Sequence, residues 1–162
     1  MGTDIYMNWK GMTKKEKDAQ ITGFQIYMGH VGYLRASIGM YAENELLHRI
    51  FPEEYWEKGD FLEYDFIQNH EKNIMYIYAY LLEPLISLEK NSEDYIDENI
   101  VNTITSAIRK IDMTIGPQMT IQIPSIHEID EKIRYASSVI EFLWLGIDKQ
   151  NKGLNPKVYI SW

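Results

Sequence analysis

Cysteine is absent from all 162 residues. With it go disulfides, thiolate nucleophiles, cysteine-ligated zinc and iron–sulfur clusters, and a reducing cytoplasm is the compartment the chain suits best. Long apolar stretches are missing too: the longest uncharged one, residues 74–82, is far short of the roughly 20 residues that span a bilayer. No membrane role is expected. The opening MGTDIYMNWK has no basic region followed by an apolar run and does not read as a secretory leader. Tyr6 stands where N-myristoylation calls for Ser or Thr. Positive charge is scarce, with 16 Lys and Arg against 24 Asp and Glu for a net charge of -8. That balance repels a phosphate backbone and argues against binding a nucleic-acid duplex. Nucleotide-loop signatures are lacking as well. The glycines of GHVGYLRASIG (29–39) are spaced three and seven apart, which matches neither the P-loop nor G-x-G-x-x-G, and no G-x-S-x-G elbow occurs.

What the chain does have is a folding composition: 45% hydrophobic and 25% charged residues, enough apolar material for one core in one domain. Ile5, Met7 and Trp9 alternate with Asp4, Tyr6 and Asn8, the period of a half-buried strand. At the other end Val158, Ile160 and Trp162 alternate with Lys157, Tyr159 and Ser161 in the same way. Residues 24–36 read as a third strand, or two bent at Gly29 and Gly32, where an interior glycine points to a bulge or to close approach by another backbone or a ligand.

Between these lie helices. Thr13 and Glu16 form a capping box opening a short helix to about Ile21. From about residue 38 to 51 the period becomes 3.6, with Leu46, Leu47, Ile50 and Phe51 inward and Glu43, Asn44, Glu45, His48 and Arg49 outward or toward a neighbour. Pro52 suits the first turn of a separate short helix, whose Glu53, Glu54, Tyr55 and Trp56 read either as its acidic first turn or as a recognition patch. A long helix is expected over 63–90, with Ile67, Ile74, Tyr78, Leu81, Leu85 and Leu88 along one buried stripe and kinked or split by Pro84, then another from Ser92 or Asp94 to about Ile111. Residues 119–123 alternate like a short strand. Ser125 and Glu128 form a second capping box, and Ile126, Ile129, Ile133, Ala136, Ile140, Leu143 and Ile147 make a regular apolar seam ended by Lys149, Lys152 and Gly153. The length of that last helix suggests packing against a second copy of the chain, hence a homo-oligomer. The fold class read from this is α+β, predominantly α-helical: a helical bundle with a small sheet formed by the N-terminal, C-terminal and 24–36 segments.

Residues 29–44 gather the most polar groups at an expected element junction, where binding groups are usually mounted. Strand alternation puts Tyr33 and Arg35 on one side, and an arginine beside aromatic rings can fork onto a phosphate or carboxylate while stacking a flat ring. The other reading ties Arg35 to Glu43 or Glu45. The candidate ligand-binding set is Arg35, His30, Tyr33, Tyr41, Glu43 and Asn44. Metal chemistry has one hint, the i, i+3 pair Glu45 and His48. No second such pair appears, and His70-Glu71 lacks the second histidine of the zinc-protease motif. No metal or cofactor is expected.

GTDIY (2–6), GHVGYLRASIGM (29–40), FPEEYW (51–56) and the closing KVYISW (157–162) resemble segments of small accessory proteins of phages and prophages. The resemblance covers mainly the first third of the chain and carries no activity and no site residues. It implies a context, since such proteins often counter bacterial defence, some by sequestering nucleotide signals and others by blocking a defence protein. The leading expectation is therefore a noncatalytic, cytoplasmic sponge for a small anionic, nucleotide-like ligand. The alternatives are an acidic inhibitor that docks on a host protein, and a metal-dependent helical-bundle enzyme.

Overall fold

The computed structural model describes residues 2–21, 28–36, 41–90 and 127–162. The alternating ends of the chain do pair. In β1 (Thr3–Asn8) Thr3, Ile5 and Met7 are buried while Asp4, Tyr6 and Asn8 face the other way. β2 (Tyr33–Ala36) runs antiparallel along one edge of β1, with Arg35 opposite Asp4 and Tyr33 opposite Tyr6. Two-residue β3 (Leu62–Glu63) and then β4 (Lys157–Ser161) complete the sheet. β4 lies antiparallel to β1 and sets Ile160 against Ile5 and Val158 against Met7. The strand order is β2-β1-β4-β3.

Of the strand expected over 24–36, the last four residues are strand and residues 29–32 are corrected to a turn. Residues 22–27 lie outside the described residues, and Gly29–Val31 is a single 3-10 turn closed by Gly32 at φ 80°. Gln20, the one buried residue of α1 (Lys14–Ile21), pins this turn to β1. Its amide donates to the carbonyls of Met7 (2.8 Å) and Val31 (2.9 Å). The capping box that starts α1 is formed as expected: the Thr13 N–H donates to Glu16 Oε2 at 2.7 Å and the Glu16 N–H to Thr13 Oγ1 at 3.2 Å. The first of these bonds holds the Glu16 carboxyl below the usual range.

α2 (Tyr41–Ile50) buries Leu46, Leu47 and Ile50, Phe51 follows them inward, and Pro52 caps α3 (Glu53–Glu57). Glu43, expected to face outward or toward a neighbour, is fully buried. The helix expected over 63–90 is α4 (His70–Lys90), which starts later and is not split at Pro84. Its start moves because β3 takes residues 62 and 63. The Asp65 carboxylate then accepts the Gln68 N–H at 2.9 Å and the Gln150 side-chain amide at 2.8 Å, holding 64–69 in turns. Ile67, placed by periodicity on the buried stripe, is 46% exposed, and Phe66 is buried in its stead.

α5 (His127–Asn151) buries Ile133, Ala136, Ile140, Leu143 and Ile147 as the seam predicts. It also buries a second stripe, Tyr135, Val139 and Phe142, because the 3-10 turn, β2 and α4 all pack on it. Among the described residues both stripes are thus covered within its own chain. The helix from about 92 to 111, residues 119–123 and the capping box at Ser125 lie outside the described residues.

Among the described residues the architecture is five α-helices and a four-stranded antiparallel sheet, a mixed α+β fold. The bundle description is corrected in part. α2, α4 and α5 do pack in series, but the inner face of the sheet belongs to the same buried cluster as the helices.

An aromatic group sits where α2, α3 and α5 meet. The Tyr64 ring lies 5.1 Å from Phe51, 5.8 Å from Tyr55 and 4.7 Å from Phe66. Burial pushes the Tyr55 hydroxyl up to about 12, with Glu54 and Glu63 adding to it, and raises Tyr64 against the opposing bond from Asn73. Tyr33 is raised by burial and then by Asp4. Below the ordinary tyrosine value of 10.0 folded and unfolded chains both keep these protons. Above it the unfolded chain loses them first, binds fewer, and stability falls as pH rises. A denaturation series is expected to be flat up to about pH 9.5 in respect of these groups and to fall steeply between 10 and 12. Tyrosinate absorbance from Tyr33, Tyr55 and Tyr64, read as the difference between wild type and each Tyr→Phe variant, should appear only with unfolding. Titration of any of these three in a still-folded protein would contradict the burial just described.

Candidate functional site

Two places on the molecule gather polar and aromatic groups. The first is the outer face of the sheet, where alternation brings Tyr33 and Arg35 to one side, as expected. Their partner is Asp4, directly across on β1. The Tyr33 hydroxyl donates to Asp4 Oδ1 at 2.5 Å, and Arg35 Nε lies 3.8 Å from the same oxygen. Neither Glu43 nor Glu45 takes the guanidinium; Glu45 holds Arg49 at 2.5 Å instead. Rings continue the row across the sheet, with Tyr6 5.2 Å from Tyr33 and 6.2 Å from Tyr159, and Phe61 5.3 Å from Tyr159. An anion arriving here meets an arginine already facing a carboxylate.

The rest of the candidate set is dispersed. His30 rides on the 3-10 turn and faces α5, its Nδ1 3.6 Å from Glu141 Oε2. Burial raises the Glu141 carboxyl and the neighbouring His30 opposes the shift. Tyr41 opens α2, and its ring lies outside the described residues. Glu43 is in the core.

Asn44 belongs to the second place, an open hollow of about 670 Å³ between α2, α3 and the sheet. That volume is within the range of small-molecule and side-chain sockets. Asn44 and His48, one turn apart on α2, form one wall. Glu53, Trp56 and Glu57, spaced i, i+3 and i+4 on α3, form another, so that all three project to the same side. Thr3 and Trp162 close it from the two ends of the chain.

The geometry here is specific. The His48 ring stacks on the Trp56 indole at 3.7 Å and 17°. The indole N–H of Trp56 donates to the Phe51 carbonyl at 3.0 Å, which fixes its plane against the aromatic cluster. Trp162 donates its own indole N–H to the Trp56 carbonyl at 2.9 Å, yet 78% of that residue is exposed. The Asn44 amide oxygen is buried, with no hydrogen-bond partner among the described residues. Among the described residues two carboxylates and no Lys or Arg line the space. Such walls hold a cation through charge and ring faces.

Sequence reasoning found Asn44 and weighed Glu53 and Trp56, but assigned them to separate places. His48 was expected to face outward or toward a neighbour, and Trp162 to end a strand. A usable signal was present: an indole closes both KVYISW and FPEEYW, in a chain whose termini were expected to pair. The metal hint dissolves, since Glu45 is paired with Arg49 and His48 lies on Trp56. Among the described residues no group of three or more His, Asp or Glu is placed to hold a metal ion, and no helix is long and apolar enough to cross a membrane. In comparisons with family models, curated proteins and solved structures, nothing matches the chain.

Proposed function

We propose that the protein is a noncatalytic inhibitor that docks on a positively charged host protein, with the hollow between α2 and α3 as its socket. The observation that carries this reading is the lining of that hollow: Glu53, Glu57 and two indoles, with no Lys or Arg among the described residues. The formal charge of -8 extends the same preference over the molecule and favours fast encounter with a basic surface. The resemblance to phage accessory proteins supplies a context in which blocking a bacterial defence protein in the cytoplasm is the useful act.

Capture of a small anion is the second reading, favoured by Tyr33 and Arg35 sharing one face, with the Arg35 side chain 32% exposed. It requires the anion to displace Asp4. Calorimetric titration separates the two, using short Lys/Arg-rich peptides and a panel of linear and cyclic nucleotides. Peptide binding is expected to weaken as salt rises from low to physiological strength, to be lost in Trp56→Ala, and to be unchanged in Arg35→Ala. Nucleotide binding abolished by Arg35→Ala, with no heat from the peptides, would overturn the docking reading in favour of the anion.

A further inference from the structure

We infer that the group seated in the hollow is a guanidinium, an arginine side chain offered by the partner; the inference rests on the docking reading and narrows it. Two features select among cations. The free ring surfaces are flat and fixed: His48 is exposed and lies nearly parallel to the buried Trp56, and Trp162 is held by its N–H with most of its surface free. A planar cation covers such faces better than a tetrahedral one. The acceptors, moreover, are several and spread out. Glu53 and Glu57 stand one turn apart on α3. Five N–H donors in a rigid fork reach both carboxylates at once, whereas an ammonium has three donors around a single point and a quaternary ammonium has none.

The neutral isostere of arginine is citrulline, which keeps the shape and most of the N–H groups but loses the charge. One peptide sequence made with central arginine, citrulline, lysine or trimethyllysine therefore separates charge, planarity and N–H donation. Binding is read from the indole N–H signals of Trp56 and Trp162 in NMR titrations of the full chain. Arginine is expected to bind about tenfold more tightly than citrulline and trimethyllysine, and about threefold more tightly than lysine.

Glu53→Gln with Glu57→Gln provides a second test at exposed positions. Here the arginine and lysine peptides should converge on citrulline and lose their salt dependence.

Equal affinity for arginine and lysine, or for arginine and trimethyllysine, overturns the guanidinium assignment while leaving a cation-binding socket. Equal affinity for citrulline and arginine overturns it in favour of an uncharged occupant. If no basic peptide moves either indole signal, the docking reading fails along with it.

Discussion

Gly29→Ala is expected to lower the thermal midpoint by about 10 °C, or to leave the protein insoluble, although the change adds a single methyl group. An added Cβ would stand 1.8 Å from the Ser138 carbonyl oxygen, 2.8 Å from its carbon and 3.0 Å from the Phe142 nitrogen. These are backbone atoms inside α5, bonded into its helical ladder, so neither rotamer change nor side-chain drift relieves the overlap. Either the 3-10 turn lifts from α5 or the helix bends, and both forfeit buried apolar contact. Overpacking that side chains can absorb costs about 1–3 kcal/mol; against helix backbone the upper end is the expectation. For a chain of this size each kcal/mol moves the midpoint by about 2–4 °C. His30→Ala is the internal control, one residue along and 57% exposed at its side chain, and it should shift the midpoint by only a degree or two. Circular dichroism melts of both variants decide the matter. A Gly29→Ala protein melting with wild type would mean that the turn is not seated on α5, and the positions of His30 and β2 would fall with it.

Gly29 also marks where sequence reasoning ends. Its presence inside a strand-like pattern pointed to a bulge or to close approach by another backbone or a ligand, and α5 supplies a backbone. What it could not give was that the contact takes residues 29–32 into a turn, so that β2 begins only at residue 33. The same division runs through the molecule. Period-2 ends, the capping box at Thr13 and the seam of α5 were legible because each is settled by neighbours in the chain. Glu43 in the core, Asp4 as the partner of Arg35 and the late start of α4 are settled by residues far away. Asp65 and Gln150, for example, redirect 64–69 across the fold. The hollow was the least legible feature of all, since its walls come from Thr3, from 44–57 and from Trp162, and only the pairing of β1 with β4 brings them together.

The packing that supports those walls can be tested at one contact, with a second large effect expected. Gly146 on α5 carries the Phe66 ring directly on its Cα: an added Cβ would fall 2.3 to 2.4 Å from three ring carbons. The ring cannot retreat, being 1% exposed and boxed by Tyr64 at 4.7 Å and Phe142 at 6.3 Å. Gly146→Ala should therefore cost about 3 kcal/mol by overpacking, and Phe66→Ala about 4 kcal/mol by leaving a cavity.

If the two were independent, the double variant would lose about 7 kcal/mol, comparable with the whole stability of an ordinary domain. The geometry says otherwise, because the new methyl enters space that the ring has vacated. The double variant should be no less stable in urea than Phe66→Ala alone, a coupling of about 3 kcal/mol. Additive losses would show that ring and glycine do not share one contact. The consequence reaches the hollow, because Phe66 packs on Tyr64, Tyr64 on Phe51, and the Phe51 carbonyl fixes the Trp56 indole. Gly146→Ala should accordingly weaken binding of the basic peptides without touching any residue that lines their socket, and Phe66→Ala added to it should restore part of that loss.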